Sequence, residues 1–173
     1  SVELFLNGKS LGSQKVVPLF PLSWKVRYVP GMLEARGSKN DKIVMTATRR
    51  TSGAPAKIVL TSDRDELSAD GEDVAIIRVE TVDKDGLPVP TADALIQFQV
   101  TGAGKLIGVG NGDPNCLQSD KDPKRSLFSG LATAILQTTK TPGSLVLVAT
   151  SNGIEPTTLT LKTKQVKLRP VGV

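Results

Sequence analysis

Residues 1–11, SVELFLNGKSL, settle the fold class of this chain. Val2, Leu4 and Leu6 alternate with Glu3 and Phe5, Asn7-Gly8 is the pair that a two-residue type I′ turn requires, and Leu11 opens a return strand. The spacing predicts an antiparallel hairpin that begins with the first residues. A chain that starts inside a sheet reads as a piece of something larger.

The pattern continues outward. Apolar segments are short, β-branched and alternating, and clusters of Gly, Pro, Asn and Asp separate them. Trp24, Val26 and Tyr28 fall on one face of a predicted strand with Lys25 and Arg27 on the other, and strands are expected over 32–36 and 42–48. Residues 49–57, RRTSGAPAK, lack periodicity and read as a linker. Beyond it, strands are expected over 57–61, 74–82, 95–100, 105–109, 130–138, 144–150 and 157–163, about seven in all, the number of an immunoglobulin-like sandwich. Residues 110–129 form one long loop in this reading, and 91–95 have room for a single turn. The expectation is an all-β protein of two consecutive immunoglobulin-like antiparallel β-sandwich domains, a small one over 1–53 and a larger one over 54–173.

Charge separates the two parts. Residues 1–57 hold ten Lys and Arg against three acids, a net of +7, whereas 58–173 hold twelve against fourteen, a net of −2. A basic module raises nucleic acid as a partner, but single-strand binding needs aromatic stacking platforms and only 3% of the chain is aromatic. Nucleic acid is therefore not an expected partner. Nor is a membrane, because no apolar run reaches the roughly 18 residues that span a bilayer. With one cysteine, Cys116, and no histidine, the chain has neither an internal disulfide nor the imidazole that zinc sites and Ser-His or Cys-His catalysis normally use.

Several motifs carry candidate chemistry. The run Gly102–Gly112, GAGKLIGVGNG, has the bare amides of an anion cradle, but its spacing fits neither a dinucleotide fingerprint nor a phosphate loop, and glycine is the usual residue of bulges and close backbone approach. Asp63, Asp65, Glu66, Asp70, Glu72 and Asp73 are hard donors of the kind calcium takes, without the offsets of an EF-hand; turn chemistry accounts for them, and no metal or cofactor is expected. Trp24 and Tyr28 have the make-up of a sugar-stacking platform, although their alternation with Val26 favours the core, leaving Phe20 and Phe128 as the exposed aromatics. Asn111 and Asp113, in the long loop, offer an amide and a carboxylate suited to sugar hydroxyls or to an interdomain contact; turn chemistry is the alternative.

The strings VELFLNGKSLG, WKVRYVPGMLEARG and TSGAPAKIVLTSDRDELSADGEDVAIIRVETVDKDGLPVPTADALIQFQVTGAGKLIGVGNGDP together resemble the C-terminal region of bacterial glycoside hydrolase family 2 enzymes, the β-galactosidase and β-glucuronidase type. LSADGEDVAIIRVETVDKDGLPVP is also similar to the immunoglobulin-like repeats of bacterial adhesins of the invasin type. The first resemblance implies a retaining parent enzyme, periplasmic or extracellular, with its two catalytic glutamates on a (β/α)₈ barrel that this chain does not include. No glutamate here inherits a catalytic role. The implied role is that of a non-catalytic accessory region whose partner is the parent's catalytic domain; an independent carbohydrate-binding module and an adhesin-type spacer are the rivals. The family pattern also places a strand before residue 2. It implies that the first domain lacks its N-terminal strand, and that Val2–Leu6 is an open edge that is paired with another molecule, covered by a loop or poorly ordered.

Overall fold

The computed structural model describes residues 1–169, which form two compact units, Ser1–Thr51 and a second beginning at Ser52. Both are built of strands, and no helix occurs among the described residues.

In the first unit, β1 (Val2–Leu6), β2 (Lys9–Gln14), β3 (Met32–Lys39) and β4 (Lys42–Arg50) make one antiparallel sheet in the order β2-β1-β3-β4. The β1–β2 turn has the predicted conformation, with Asn7 and Gly8 at φ of 50° and 80°. Asn40-Asp41 closes β3–β4 in the same region, at 50° and 62°, where Asn and Asp are the least strained residues after glycine. The expected open edge of β1 is corrected here. Val2–Leu6 pairs with β2 on one side and with β3 on the other, so the unpaired edges belong to β2 and β4.

The register sorts the faces of this sheet. Leu4 lies beside Ala35 and Ala47, and Leu6 beside Leu33, while Glu3 lies beside Arg36 and Phe5 beside Glu34 on the opposite face. There the Arg36 guanidinium sits 4.3 Å from the Phe5 ring centroid and its Nε donates to Glu34 Oε1 at 2.6 Å, which holds the Glu34 carboxyl below its ordinary range. Leu4 is the one buried apolar side chain among the described residues of this unit.

The predicted strand at Trp24–Tyr28 does not form. Residues 15–31 contain no strand, and Tyr28 is 74% exposed rather than facing a core. Pro18, Pro21 and Pro30 punctuate the segment and withhold ladder donors, so alternation of side chains finds no neighbouring backbone to pair with. Phe20 and Phe128 are exposed as expected.

The second unit has nine strands: β5 (Lys57–Ser62), β6 (Glu66–Ser68), β7 (Val74–Val82), β8 (Leu95–Gly102), β9 (Gly104–Gly110), β10 (Lys124–Ser126), β11 (Leu131–Thr138), β12 (Gly143–Ser151) and β13 (Ile154–Lys164). Eight follow one path, β10-β8-β12-β13-β5-β7-β11-β9, and β6 pairs with β13 off it. Two short strands were not expected: β10 falls in the long loop expected over 110–129, and β6 between the strands expected over 57–61 and 74–82.

Alternation along these strands delivers one core. Ala75, Ile77 and Val79 of β7, Ala132, Ala134 and Leu136 of β11, Leu145, Leu147 and Ala149 of β12, and Ile96 and Phe98 of β8 all point into it. Each fully buried Leu or Ile contributes about 2 kcal/mol of transfer free energy. The chain passes from β8 to β9 across Gly102-Ala103-Gly104, and glycine is required at both ends: a Cβ on Gly102, at φ +84°, would lie 2.0 Å from the Ser144 carbonyl oxygen, and one on Gly104 would lie 2.1 Å from Leu145 Cδ1. The glycine-rich run is thus a corner of the fold, continued by a bulge in β9 opposite Ile135/Leu136.

Candidate functional site

The loop between β9 and β10, residues 111–123, is the longest irregular stretch of the second unit and holds two of the three candidate contact residues. Asn111 donates from Nδ2 to the Ser126 carbonyl at 3.0 Å and accepts the Asp113 amide at Oδ1, also at 3.0 Å. Asp113 Oδ1 in turn accepts the Asn115 amide at 2.9 Å. The structure therefore brings Asn111 and Asp113 together in successive Asx turns, with both side chains half-buried and one Asp113 oxygen free of these bonds.

Trp24, the third candidate, lies in the first unit and not in this loop. Its indole is half-buried and donates from Nε1 to the Gly12 carbonyl at 3.3 Å, beside a second bond from Gln14 Nε2 to the Ser23 carbonyl at 2.8 Å. These bonds lay the irregular segment along β2.

What organises the loop is a residue with no sequence signal, Arg125. Its side chain is 2% exposed at the centre of β10, and the guanidinium donates to the Val109 carbonyl at 3.2 Å, to Cys116 Sγ at 3.0 Å and to Asp120 Oδ1. Its Nε has no hydrogen-bond partner among the described residues. The loop is closed further by Gln118, whose Oε1 accepts the Ser126 amide at 2.9 Å and whose Nε2 donates to Ser126 Oγ at 2.8 Å. An arginine inside a polar run looks like any solvated cation. Only the pairing of β10 with β8, which aims position 125 inward, reveals it.

In the first unit, Asn7, expected as a turn residue, has a second role that the sequence did not show. Asn7 supplies the turn and also clamps the start of β3, accepting the Met32 amide at Oδ1 (2.7 Å) and donating from Nδ2 to the Pro30 carbonyl (3.1 Å). Gly31, at φ +138°, makes room for it, since a Cβ there would lie 1.9 Å from Asn7 Oδ1.

The acidic loop 63–73 is held by its own backbone. Asp70 Oδ1 accepts the Glu72 and Asp73 amides at 2.8 Å each, which keeps the Asp70 carboxyl below its ordinary range. Asp73 accepts the Ser68 amide at 2.7 Å and Arg64 at 3.2 Å, Asp63 accepts the Ile76 amide at 2.9 Å, and Glu66 pairs with Lys164. No group of three or more metal-ligating side chains gathers among the described residues. Asp83, 4% exposed, accepts the Gly53 amide at 2.7 Å and the Leu87 and Asp85 amides at 2.9 Å each; the first two bonds chiefly lower its pKa. These carboxylates do structural work, and what the site offers chemically is polar contact surface.

Comparison with known proteins gives this surface its context. A β-galactosidase of Bacteroides ovatus is 38% identical over 165 residues, which is 95% of this chain and 19% of that protein. A β-glucuronidase of Formosa agariphila is 29% identical, over 94% of this chain and 17% of its own length. Among solved structures, a glycosyl hydrolase family 2 member from Bacteroides cellulosilyticus superposes with a TM-score of 0.89 at 33% identity, over 94% of this chain and 21% of that one. A β-glucuronidase from glycoside hydrolase family 2 gives 0.81 at 28%, over 97% and 18%. The chain thus spans about a fifth of the length of the relatives it matches. Residues 1–45 match a family described as a domain of unknown function (DUF4982), and residues 58–160, more than half of the chain, match another. By that second match the chain belongs to the family described as glycoside hydrolase family 2 C-terminal domain 5.

Proposed function

We propose that this chain is a non-catalytic accessory region of a β-galactosidase-like, retaining glycoside hydrolase that acts outside the cytoplasm, in the periplasm or beyond, and that its partner is the catalytic domain of the same enzyme. The observation that carries this reading is the asymmetry of coverage: likeness to the Bacteroides ovatus enzyme runs through 95% of this chain yet occupies 19% of that enzyme. In this reading the second unit is an immunoglobulin-like sandwich, its nine strands around one core supporting the description, and the first contributes a single four-stranded sheet. Asn111 and Asp113 shape the loop that meets a sugar or the neighbouring domain, with the remaining Asp113 oxygen as the contact atom.

The test is hydrolysis of aryl β-galactosides and β-glucuronides. The purified 173-residue chain shows no turnover, and deleting this region from the full-length enzyme lowers its melting temperature or catalytic efficiency. Turnover by the isolated chain that survives purification, or a deletion that changes neither quantity, would refute it.

Independent carbohydrate binding is a second reading, favoured by the 71% and 74% exposure of Phe20 and Tyr28 in the segment that carries Trp24. Glycan binding by the chain that is lost in Trp24→Ala or Tyr28→Ala with folding intact would establish it.

A further inference from the structure

We propose that β4 is a docking edge that receives an extended acidic segment of a partner protein as an added strand. Three observations meet on this strand. It closes one side of its sheet, so the backbone donors and acceptors on its outer side have no partner strand among the described residues. All nine of its residues are exposed, including three consecutive large apolar ones, Ile43 at 60%, Val44 at 67% and Met45 at 70%. Its charge is entirely positive, with Lys42 at one end and Arg49 and Arg50 at the other.

The ladder of β4 is regular from Met45 to Arg50 and bulged at Val44, between Ile43 opposite Ser38 and Met45 opposite Gly37; its regular part is an uncovered edge of the kind that serves as a template for strand addition. The cations decide what the template accepts. In the full-length antiparallel alignment with a second copy, Lys42 would face Arg50 twice; in the parallel one, each cation would face itself. Like charges directly opposite one another destabilise a strand pair, so these two full-length pairings with a second copy are disfavoured. A strand with Asp or Glu at both ends instead brings an acid to Lys42 at one end of this edge and to the Arg49-Arg50 pair at the other.

The surroundings add to the selection. Residues 1–51 hold nine Lys and Arg against three acids, and of those acids Glu34 is paired with Arg36 and Glu3 accepts a bond from Ser10. This net of +6 attracts an acidic segment before contact and repels a basic one. Specificity thus comes from charge, and affinity from main-chain bonds and from covering residues 43–45.

The experiment uses the 173-residue chain and two fluorescent nine-residue peptides of alternating Val and Thr, one ending in Glu at both ends and the other in Lys. Anisotropy should show the acidic peptide binding about ten-fold or more tighter at low salt, an advantage that shrinks as salt rises. Amide exchange should slow at residues 42–50 when it is bound. The double variant Arg49→Glu/Arg50→Glu should reverse the preference, and Ile43→Thr/Met45→Thr should weaken both peptides, with far-UV spectra unchanged. Equal affinity for the two peptides, protection outside 42–50, no binding at all, or protection of 42–50 that grows with protein concentration in the absence of peptide would each overturn the proposal, the last in favour of a second copy.

Discussion

Asp120 is 79% exposed, and an exposed aspartate ordinarily tolerates replacement within about 0.5 kcal/mol. Here its partner makes the difference. The Arg125 guanidinium is 2% exposed, and Asp120 is the only carboxylate it pairs with among the described residues. Asp120→Ala leaves that cation with one carbonyl, one thiol and an unpartnered Nε. Breaking a fully buried pair costs about 3–5 kcal/mol, whereas an exposed pair is worth about 0–1 kcal/mol. With one partner buried and one in solvent, the expected loss is about 2 kcal/mol, since water reaches the vacated side but not the whole guanidinium. For a unit of this size that corresponds to a fall of roughly 8 °C in Tm. Urea denaturation followed by far-UV circular dichroism measures the loss directly, and Asp120→Asn, which keeps an acceptor oxygen, should lose about half as much. Arg125→Met/Asp120→Ala should recover to within about 1 kcal/mol of the unmodified chain, because Met fills the space without a charge to satisfy. An Asp120→Ala protein as stable as its parent to within 0.5 kcal/mol would refute the argument that this buried cation depends on it.

Other outcomes follow from the same geometry. Gly102→Ala should cost about 2–4 kcal/mol in urea denaturation, because it adds positive-φ strain to a contact with the Ser144 carbonyl that only backbone movement relieves. Asn7→Ala should lower stability by about 2 kcal/mol, through loss of the bonds to Met32 and Pro30 and an alanine forced to φ 50°, and amide exchange at Met32 should rise with it. Asp83 has a depressed pKa, so its stabilisation is fully present above the unfolded value of about 3.9 and is lost as pH falls through the lower folded value; Tm should drop below about pH 4, less steeply in Asp83→Asn. If the chain is the accessory region of a glycoside hydrolase proposed above, Asp113→Ala in that enzyme should reduce catalytic efficiency, and unchanged stability and efficiency would retire the proposed contact.

The second unit was largely legible because its core is written in period two. Burial alternates without interruption along Val74–Val82, which forms a strand over the residues expected, although Ile76 faces outward and Thr81 inward. Partner number is not written in that way: Val2–Leu6 alternates equally well as an edge or a centre, and only the pairing of β3 shows it to be central. Alternation also misleads where prolines deny a ladder, as at Trp24–Tyr28. The candidate site was half legible, since Asn and Asp announced turns at 111 and 113, but nothing in LQSDKDPKRS marks Arg125 as the residue that folds the loop. Burial of a cation depends on a three-residue strand too short to carry a pattern of its own.

β5, the first strand after residues 52–56, enters its sheet between β13 and β7 and not at a rim. It pairs along β7 from Lys57 to Ser62 and bridges β13 through Lys57 and Glu155. Where a pull on residues 52–56 runs along the strand axis, it loads the β5–β7 hydrogen bonds together, in shear, because they are perpendicular to that axis. The chain thus enters the second unit at the middle of a sheet, with a neighbour on either side of its first strand.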